Sequence, residues 1–304
     1  MASKTWIGSV STDPATAGNW SPSGVPVDGD DIIIDGNATQ GITGSDQHTI
    51  EPATIRVYLS FAYAIATVAS PWKIGPVLLE IGLPGEGGNS GSGPSSCVID
   101  CGTDPVNAII YAANTEGVSG QSCIMLRGTN ASNAITVKGG SVGLGTMVPG
   151  ESTTWASIDV SGTNTVATIG YGASLTLINI REGSVYLNAS CPTIHLDSGK
   201  LETHGSGTIT TIECRGDFIS NSTGTITNLN VSATGLADFS KSPANRAVTN
   251  CTMSGSACRI DADNNAYNTG APAVTFTNGI DAIKGAKSDQ IKVPTDLTVS
   301  FSTL

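Results

Sequence analysis

The side chains able to carry chemistry in this 304-residue chain are few: 25 Asp and Glu, 14 Lys and Arg, 3 His and 7 Cys. Four acids, Asp197, Glu202, Glu213 and Asp217, stand close enough along the chain to gather on one face. Cleaving a glycosidic bond takes two carboxylates facing each other across a cleft, and a lyase takes a Ca²⁺-binding acid cluster with a base beside the proton to be removed. Acids set between apolar residues of short strands are ordinarily solvated surface, and these four are read that way. His195 lies between Ile194 and Leu196 and so points outward, while His48 and His204 have no partner near them in sequence. No catalytic residue is assigned, and the chain is expected not to be an enzyme.

Metal and thiol chemistry is equally sparse. Asp261-Ala-Asp263-Asn-Asn265 starts like a Ca²⁺ loop, but Ala266 occupies the place of the turn glycine and Pro272 that of the bidentate Glu, so a turn without metal is expected. The paired C-x-x-C or Cys/His spacings of zinc sites are absent, and neither a metal nor an organic cofactor is expected. Seven cysteines is an odd number, which leaves at least one free or paired with another chain. Cys214, Cys251 and Cys258 sit in apolar slots and read as small buried hydrophobes, whereas Cys97 and Cys101 bracket Val-Ile-Asp and are the candidate disulfide. The stretch from Gly82 to Pro94 lacks the Gly-Lys-Ser/Thr of a phosphate loop and reads as a flexible loop. Arg215-Gly-Asp217 spells an integrin-binding triplet, but it falls in a turn where glycine is expected anyway.

What must position these side chains is a repeat. From Ile135 to Ile260 one pattern recurs: apolar-x-apolar, a short polar or glycine turn, then apolar again. The clearest copies are Ile178-Asn-Ile180 followed by Val185-Tyr-Leu187, Ile194-His-Leu196 by Leu201-Glu-Thr203, and Ile212-Glu-Cys214 by Phe218-Ile-Ser220. Copies start at 135, 158, 178, 194, 212, 229 and 251, separated by 16 to 23 residues. Alternation of period 2 inside a period near 20 is what one coil of a β-solenoid requires: each short strand points alternate side chains inward, and stacked coils satisfy one another's backbone groups. A β-sandwich also has short strands and regular turns, but it has no reason to repeat one pair of strands at one internal spacing. Aligning the copies sets Cys214, Val231 and Met253 in one buried column and Thr211, Asn228 and Asn250 in one polar ladder. Residues 54–82 read as earlier coils around a wider core.

The expected fold is all-β: a right-handed parallel β-helix over 37–260, an N-terminal cap and docking segment at 1–36, and a C-terminal cap with a short β tail at 261–304. Composition fits turns and narrow strands, with 37 Gly and only 13% charged residues. A net charge of −11 argues against a nucleic-acid partner. The most apolar run, Val57 to Ala69, is too short to span a bilayer, and the start has no signal-peptide core, so synthesis in a cytoplasm and no membrane partner are expected. Seven N-x-[ST] triplets reflect the abundance of Asn, Ser and Thr.

A solenoid exposes an apolar cross-section at its end and needs a lid, and Trp6, Trp20, Pro22 and Pro26 are the capping and docking candidates. The string Asn19-Trp-Ser-Pro-x-Gly-Val-Pro-x-x-Gly-Asp-x-Ile-x-Ile34 resembles the N-terminal signature of repetitive β-helix proteins of bacteria and their tailed phages, including autotransporter-like surface proteins. Gly139-Gly-Ser-Val-Gly-Leu, Thr225-Ile-Thr-Asn-Leu, Arg246-Ala-Val-Thr-Asn and Val274-Thr-Phe-Thr-Asn-Gly resemble a phage-encoded group of that type. The resemblance implies a β-helix on the outer surface of a virion, as a capsid decoration or head fibre. By analogy it is a homotrimer docked on the major capsid protein or another virion protein, with polar flanks facing water or host-surface glycans. No catalytic residue is carried over. A polysaccharide-cleaving, tailspike-like enzyme and a bacterial surface adhesin are the alternatives. Of the Asn-x-Asp, Asp-Asp, Gly-His-Gly and Arg-x-Lys strings of pectin-hydrolase-like sequences, only Asp30-Asp31 is present.

Overall fold

The computed structural model describes residues 2–84, 91–112, 122–146, 151–242, 246–262, 274–283 and 288–292. The expected turn over 261–272, the alternating tail strand at 297–301 and the middle of the glycine-rich stretch lie largely outside these residues. The described residues form an all-β fold of parallel sheets with two short 3-10 turns, and no α-helix occurs among them. The chain divides into two compact units, residues 1–173 and 174–304.

In the first unit, one sheet stacks Ser3–Trp6, Asp31–Ile34, Thr54–Tyr58, Leu78–Leu83, Asn107–Ile110, Ala134–Val137 and Thr153–Val160 in parallel. The second sheet of that unit stacks Trp72–Lys73, Cys97–Asp100, Ile124–Arg127, Ser141–Leu144 and Val166–Ile169. From Thr54–Tyr58 onward the strands of this unit alternate between the two sheets along the chain, which is the connectivity of a solenoid-like fold. The segment expected as a separate cap already supplies two of the parallel strands, Ser3–Trp6 and Asp31–Ile34. Its one antiparallel element, Trp20–Ser21, covers the edge of Ser3–Trp6.

In the second unit, one sheet stacks the strand Ala173–Ile180, all but its first residue, with Cys191–Leu196, Ile209–Cys214, Ile226–Ser232 and Arg246–Ser254. Val274–Phe276 and Ile280–Ile283 both lie on Arg246–Ser254. The partner sheet stacks Ser184–Leu187, Lys200–Thr203, Asp217–Ser220, Leu236–Asp238, Arg259–Asp261 and Ile291–Lys292. The expected columns are in register: Cys214 opposes Val231 and Val231 opposes Met253, and all three are buried. Each such aliphatic side chain contributes roughly 1.5–3 kcal/mol by leaving water.

Strict alternation fails at one place in each of these strands, and the failure makes the corner. Between buried Ile209 and Ile212, and again between buried Ile226 and Leu229, two consecutive residues face out. A flat strand cannot do that, so the chain bends there. The second outward residue of each pair forms the polar ladder. Asn228 Nδ2 donates to Thr211 Oγ1 at 3.4 Å, Asn250 Nδ2 to Asn228 Oδ1 at 2.8 Å, and Asn278 Nδ2 to Asn250 Oδ1 at 2.7 Å. Asn228 and Asn250 thus each spend a donor on the coil before and an acceptor on the coil after.

The two units differ in coil length. Ile178, Ile194, Ile212 and Leu229 oppose one another at steps of 16, 18 and 17 residues. In the first unit, Lys73, Asp100 and Arg127 oppose one another at steps of 27. The longer coils enclose Phe61, Trp72 and Trp155, each fully buried. Buried indoles need partners for their N–H groups: Trp72 Nε1 donates to Gln47 Oε1 at 2.8 Å, and Trp155 Nε1 to Thr153 Oγ1 at 2.8 Å.

Candidate functional site

The long coils bring charged residues into line at the end of the second sheet of the first unit. Asp46 opposes Lys73, Lys73 opposes Asp100, and Asp100 opposes Arg127. Lys73 Nζ lies 3.0 Å from Asp46 Oδ2, and Arg127 Nη2 is hydrogen-bonded to Asp100 Oδ2. Arg127 Nη1 is 3.2 Å from Glu151 Oε1, which adds a fifth member to the column. The signs therefore alternate from coil to coil: acid, base, acid, base, acid.

Beside this column lies an open cleft of about 370 Å³, with His48, Asp100, Arg127 and Glu151 in its wall. Asp100 and Glu151 are almost wholly withdrawn from solvent, with 7% and 3% of their side-chain surfaces exposed. His48 Nε2 is 3.2 Å from the Asp100 carbonyl, the geometry of an Nε2–H donating to that oxygen, and 3.6 Å from Asp100 Oδ1. Its Nδ1 lies 3.8 Å from Asp46 Oδ1. Gly102 is required for this approach. Its φ is +69°, and a Cβ there would stand 3.1 Å from His48 Cδ2.

Burial pushes the Asp100 carboxyl up, but hydrogen bonds from the Arg127 guanidinium and the Gly102 N–H, with the positive charge of Arg127, outweigh it and hold the group below the ordinary carboxylate value. Asp100 is therefore ionised at neutral pH and is no proton donor there. The depressed value also fixes the sign of an acid effect. Folded Asp100 binds its proton less readily than unfolded Asp100, so its contribution to stability is complete above the unfolded carboxyl's pKa, about 3.9, and is lost as pH falls through the lower folded value. Urea midpoints taken from about pH 6 down to about pH 3 are expected to fall less for Asp100→Asn than for the wild type. Parallel pH profiles would remove Asp100 from the acid-sensitive set.

The acids singled out in the sequence do not assemble. Glu202 binds Lys200 at 2.7 Å, His204 at 3.0 Å and Asn221 at 3.0 Å on one sheet of the second unit. Glu213 lies on the other sheet, where it accepts from Asn230 at 2.8 Å. Asp197 pairs with Arg215 at 3.1 Å, both half exposed, and Asp217 is exposed at the head of its strand. His195 is exposed, as its place between two apolar residues requires. Asp30 and Asp31 hold the backbone and neighbouring strand together: Asp30 accepts from Ala2 N at 3.0 Å and Val27 N at 3.1 Å, and Asp31 from Thr54 Oγ1 at 2.6 Å. Among the described residues no group of three His, Cys, Asp or Glu side chains converges as a metal ion requires.

One expectation needs correction. Cys97 and Cys101 do not form a disulfide, and both are free buried thiols. Cys97 opens the extended strand Cys97–Asp100 and Cys101 follows it, so their Cα atoms are about 13 Å apart, twice the reach of a disulfide. Burial pushes the Cys101, Cys214 and Cys251 thiols up to about 12 and Cys191 to about 11, so none of the four is a thiolate nucleophile at neutral pH. The capping and docking candidates lie as follows. Trp6 and Trp20 are buried against each other, edge to face at 5.1 Å, with their N–H groups donating to Gln40 O at 2.9 Å and Pro14 O at 2.8 Å. Pro26 is buried as well, and Pro22, Val10 and Val27 are among the residues that this segment exposes.

The charged column and its cleft were not anticipated. The signal lay in the sequence as charges of alternating sign at positions 46, 73, 100 and 127, but only a search for a 27-residue step would have found it. Comparisons with protein-family models, with curated proteins and with solved structures returned no match to this chain.

Proposed function

We propose that the chain is a right-handed parallel β-helix that serves as a structural protein on the outside of a tailed-phage particle, a capsid decoration or head fibre. The observation that supports this reading is the coil-to-coil stacking inside each unit. Apolar columns, the Asn ladder and the charged column all join successive coils, an arrangement suited to bearing load and resisting proteases rather than to opening and closing. Charged groups are engaged in ion pairs inside each unit, Glu202 with Lys200 and Arg127 with Asp100, and Asp100 is held ionised. The segment around Trp6 and Trp20 docks on the major capsid protein or another virion protein through exposed Val10, Pro22 and Val27. Assembly is as a homotrimer, because a cyclic arrangement hides solenoid faces and matches the symmetry of a shell or fibre. The protein is made in the host cytoplasm, needs no cofactor and performs no catalysis.

Electron microscopy of intact particles labelled with antibody against this chain, with mass determination of the purified protein under non-denaturing conditions, tests the proposal. Label on the outer surface and a trimeric mass are expected. Particles that carry no label, or a monomer that cleaves host polysaccharide, would overturn it.

A further inference from the structure

We propose that the cleft of the first unit is a binding site for a saccharide without acidic groups, neutral or amino-substituted. The inference deepens the reading of the protein as an outer-surface virion component, since a host-surface glycan is what such a site would meet. The cleft is a built site. Arg127 is braced from both sides by Asp100 and Glu151, each more than nine-tenths withdrawn from solvent, and His48 is held by the Asp100 carbonyl. A ligand therefore meets groups already in place and pays little to order them.

Around this floor the mouth offers Thr103, Asp104, Thr129 and Ser152. These come from three successive coils, so hydroxyl and carboxylate groups recur at steps of about 4.8 Å. Hydroxyl, carboxylate, imidazole and guanidinium groups stand beside the C–H surface of the same side chains, which suits a sugar, whose hydroxyls alternate with C–H groups. The volume of about 370 Å³ admits a short saccharide segment. Charge narrows the class. Three carboxylates, Asp100, Asp104 and Glu151, stand against the one guanidinium of Arg127, so phosphate, sulfate and sugar acids are repelled. Amino sugars are favoured by the same carboxylates.

The test uses the full chain on an array of neutral, amino-substituted and acidic oligosaccharides, followed by titration calorimetry with the strongest binder. Saturable binding to a neutral or amino-substituted saccharide is expected, weakened about tenfold or more by Asp104→Ala combined with Ser152→Ala. These two residues stand outside the ion-pair column. Thr252→Ala, on the outer face of the second unit, is expected to leave affinity unchanged. Ser152→Trp, which fills the mouth from an exposed position, gives a second route: loss of binding with an unchanged melting curve is expected. No saturable binding, a preference for acidic saccharides, or binding indifferent to both sets of changes would overturn the assignment. Labelled particles with no glycan binding would leave the virion reading standing and remove the site. Glycan binding by a chain absent from particles would do the reverse.

Discussion

Gly224→Ala is expected to unfold the second unit under conditions where the wild-type chain remains folded. A Cβ at Gly224 would stand 1.8 Å from the Gly207 carbonyl oxygen and 2.6 Å from its carbon, and a Cβ at Gly207 would stand 2.3 Å from the Ala189 oxygen. The three residues are the same turn in three successive coils, and each turn rests on the one before. The obstruction is backbone, so no side-chain rotation relieves it. The coils must part, and the bonds flanking the contact, Thr223 N to Gly205 O at 2.8 Å and Ile209 N to Thr225 O at 3.0 Å, stretch with them. Overpacking costs about 1–3 kcal/mol where side chains can yield, and more where the backbone is the obstacle. Thr223→Ala is the neighbouring control. It removes a hydroxyl bond to Gly205 O of 3.1 Å, worth about 0.5–1.5 kcal/mol. Thermal unfolding followed by circular dichroism compares them, and a Gly224→Ala midpoint no lower than that of Thr223→Ala would show that the turns are not in contact.

Arg246→Met is expected to cost about 3 kcal/mol or more, although it conserves volume and removes a charge. Arg246 is 5% exposed. Its Nη1 donates to the Ser220 carbonyl and, at 3.4 Å, to the Phe239 carbonyl, while Nη2 donates to Ser242 O at 2.8 Å. Burial pulls its pKa down and Asp238 pushes it up, yet a guanidinium stays charged at any pH the fold survives. Met fills the space and offers no donor, so buried carbonyls lose theirs, at about 1–3 kcal/mol each. Phe239 also stacks edge to face between Phe218 at 5.9 Å and Phe276 at 6.0 Å, so loosening its carbonyl disturbs that aromatic column. Arg246→Lys, a point charge without the planar fork, is expected to fall between the two. Urea unfolding decides: a loss below about 1 kcal/mol for Arg246→Met would mean that the carbonyls find other donors.

What could be read from the sequence was whatever obeys a short period. Cys214, Val231 and Met253, and Thr211, Asn228 and Asn250, were placed in their columns because coils of 17 and 22 residues bring equivalent positions close in sequence and repeat similar residue types. The same ladder continues to Asn278, 28 residues beyond Asn250, across a longer coil that hides the equivalence. The candidate site obeys no apolar pattern at all. His48 meets Asp100 across 52 residues, and Arg127 meets Glu151 across a connection of different length, so the partners declare themselves only once the coils are stacked. Cys97 and Cys101 misled because closeness in sequence was taken for closeness in space, whereas an extended strand separates what it joins. The indoles of Trp6 and Trp20, capping candidates in the sequence, are buried edge to face, a pairing across the connection between them that no short period announces.

The alternating column in the first unit also bears on how the coils find their order while folding. Apolar columns are permissive: any coil that presents Ile, Leu or Val inward can stack on any other. The charges are not. If one coil looped out, Asp46 would come to rest against Asp100, or Lys73 against Arg127, like signs directly opposed in place of the pairs that hold them now. A mis-stacked intermediate of that kind carries its own penalty and has reason to come apart. The apolar pattern thus lets the coils stack, and the alternating sign penalises the loss of any single coil from the stack.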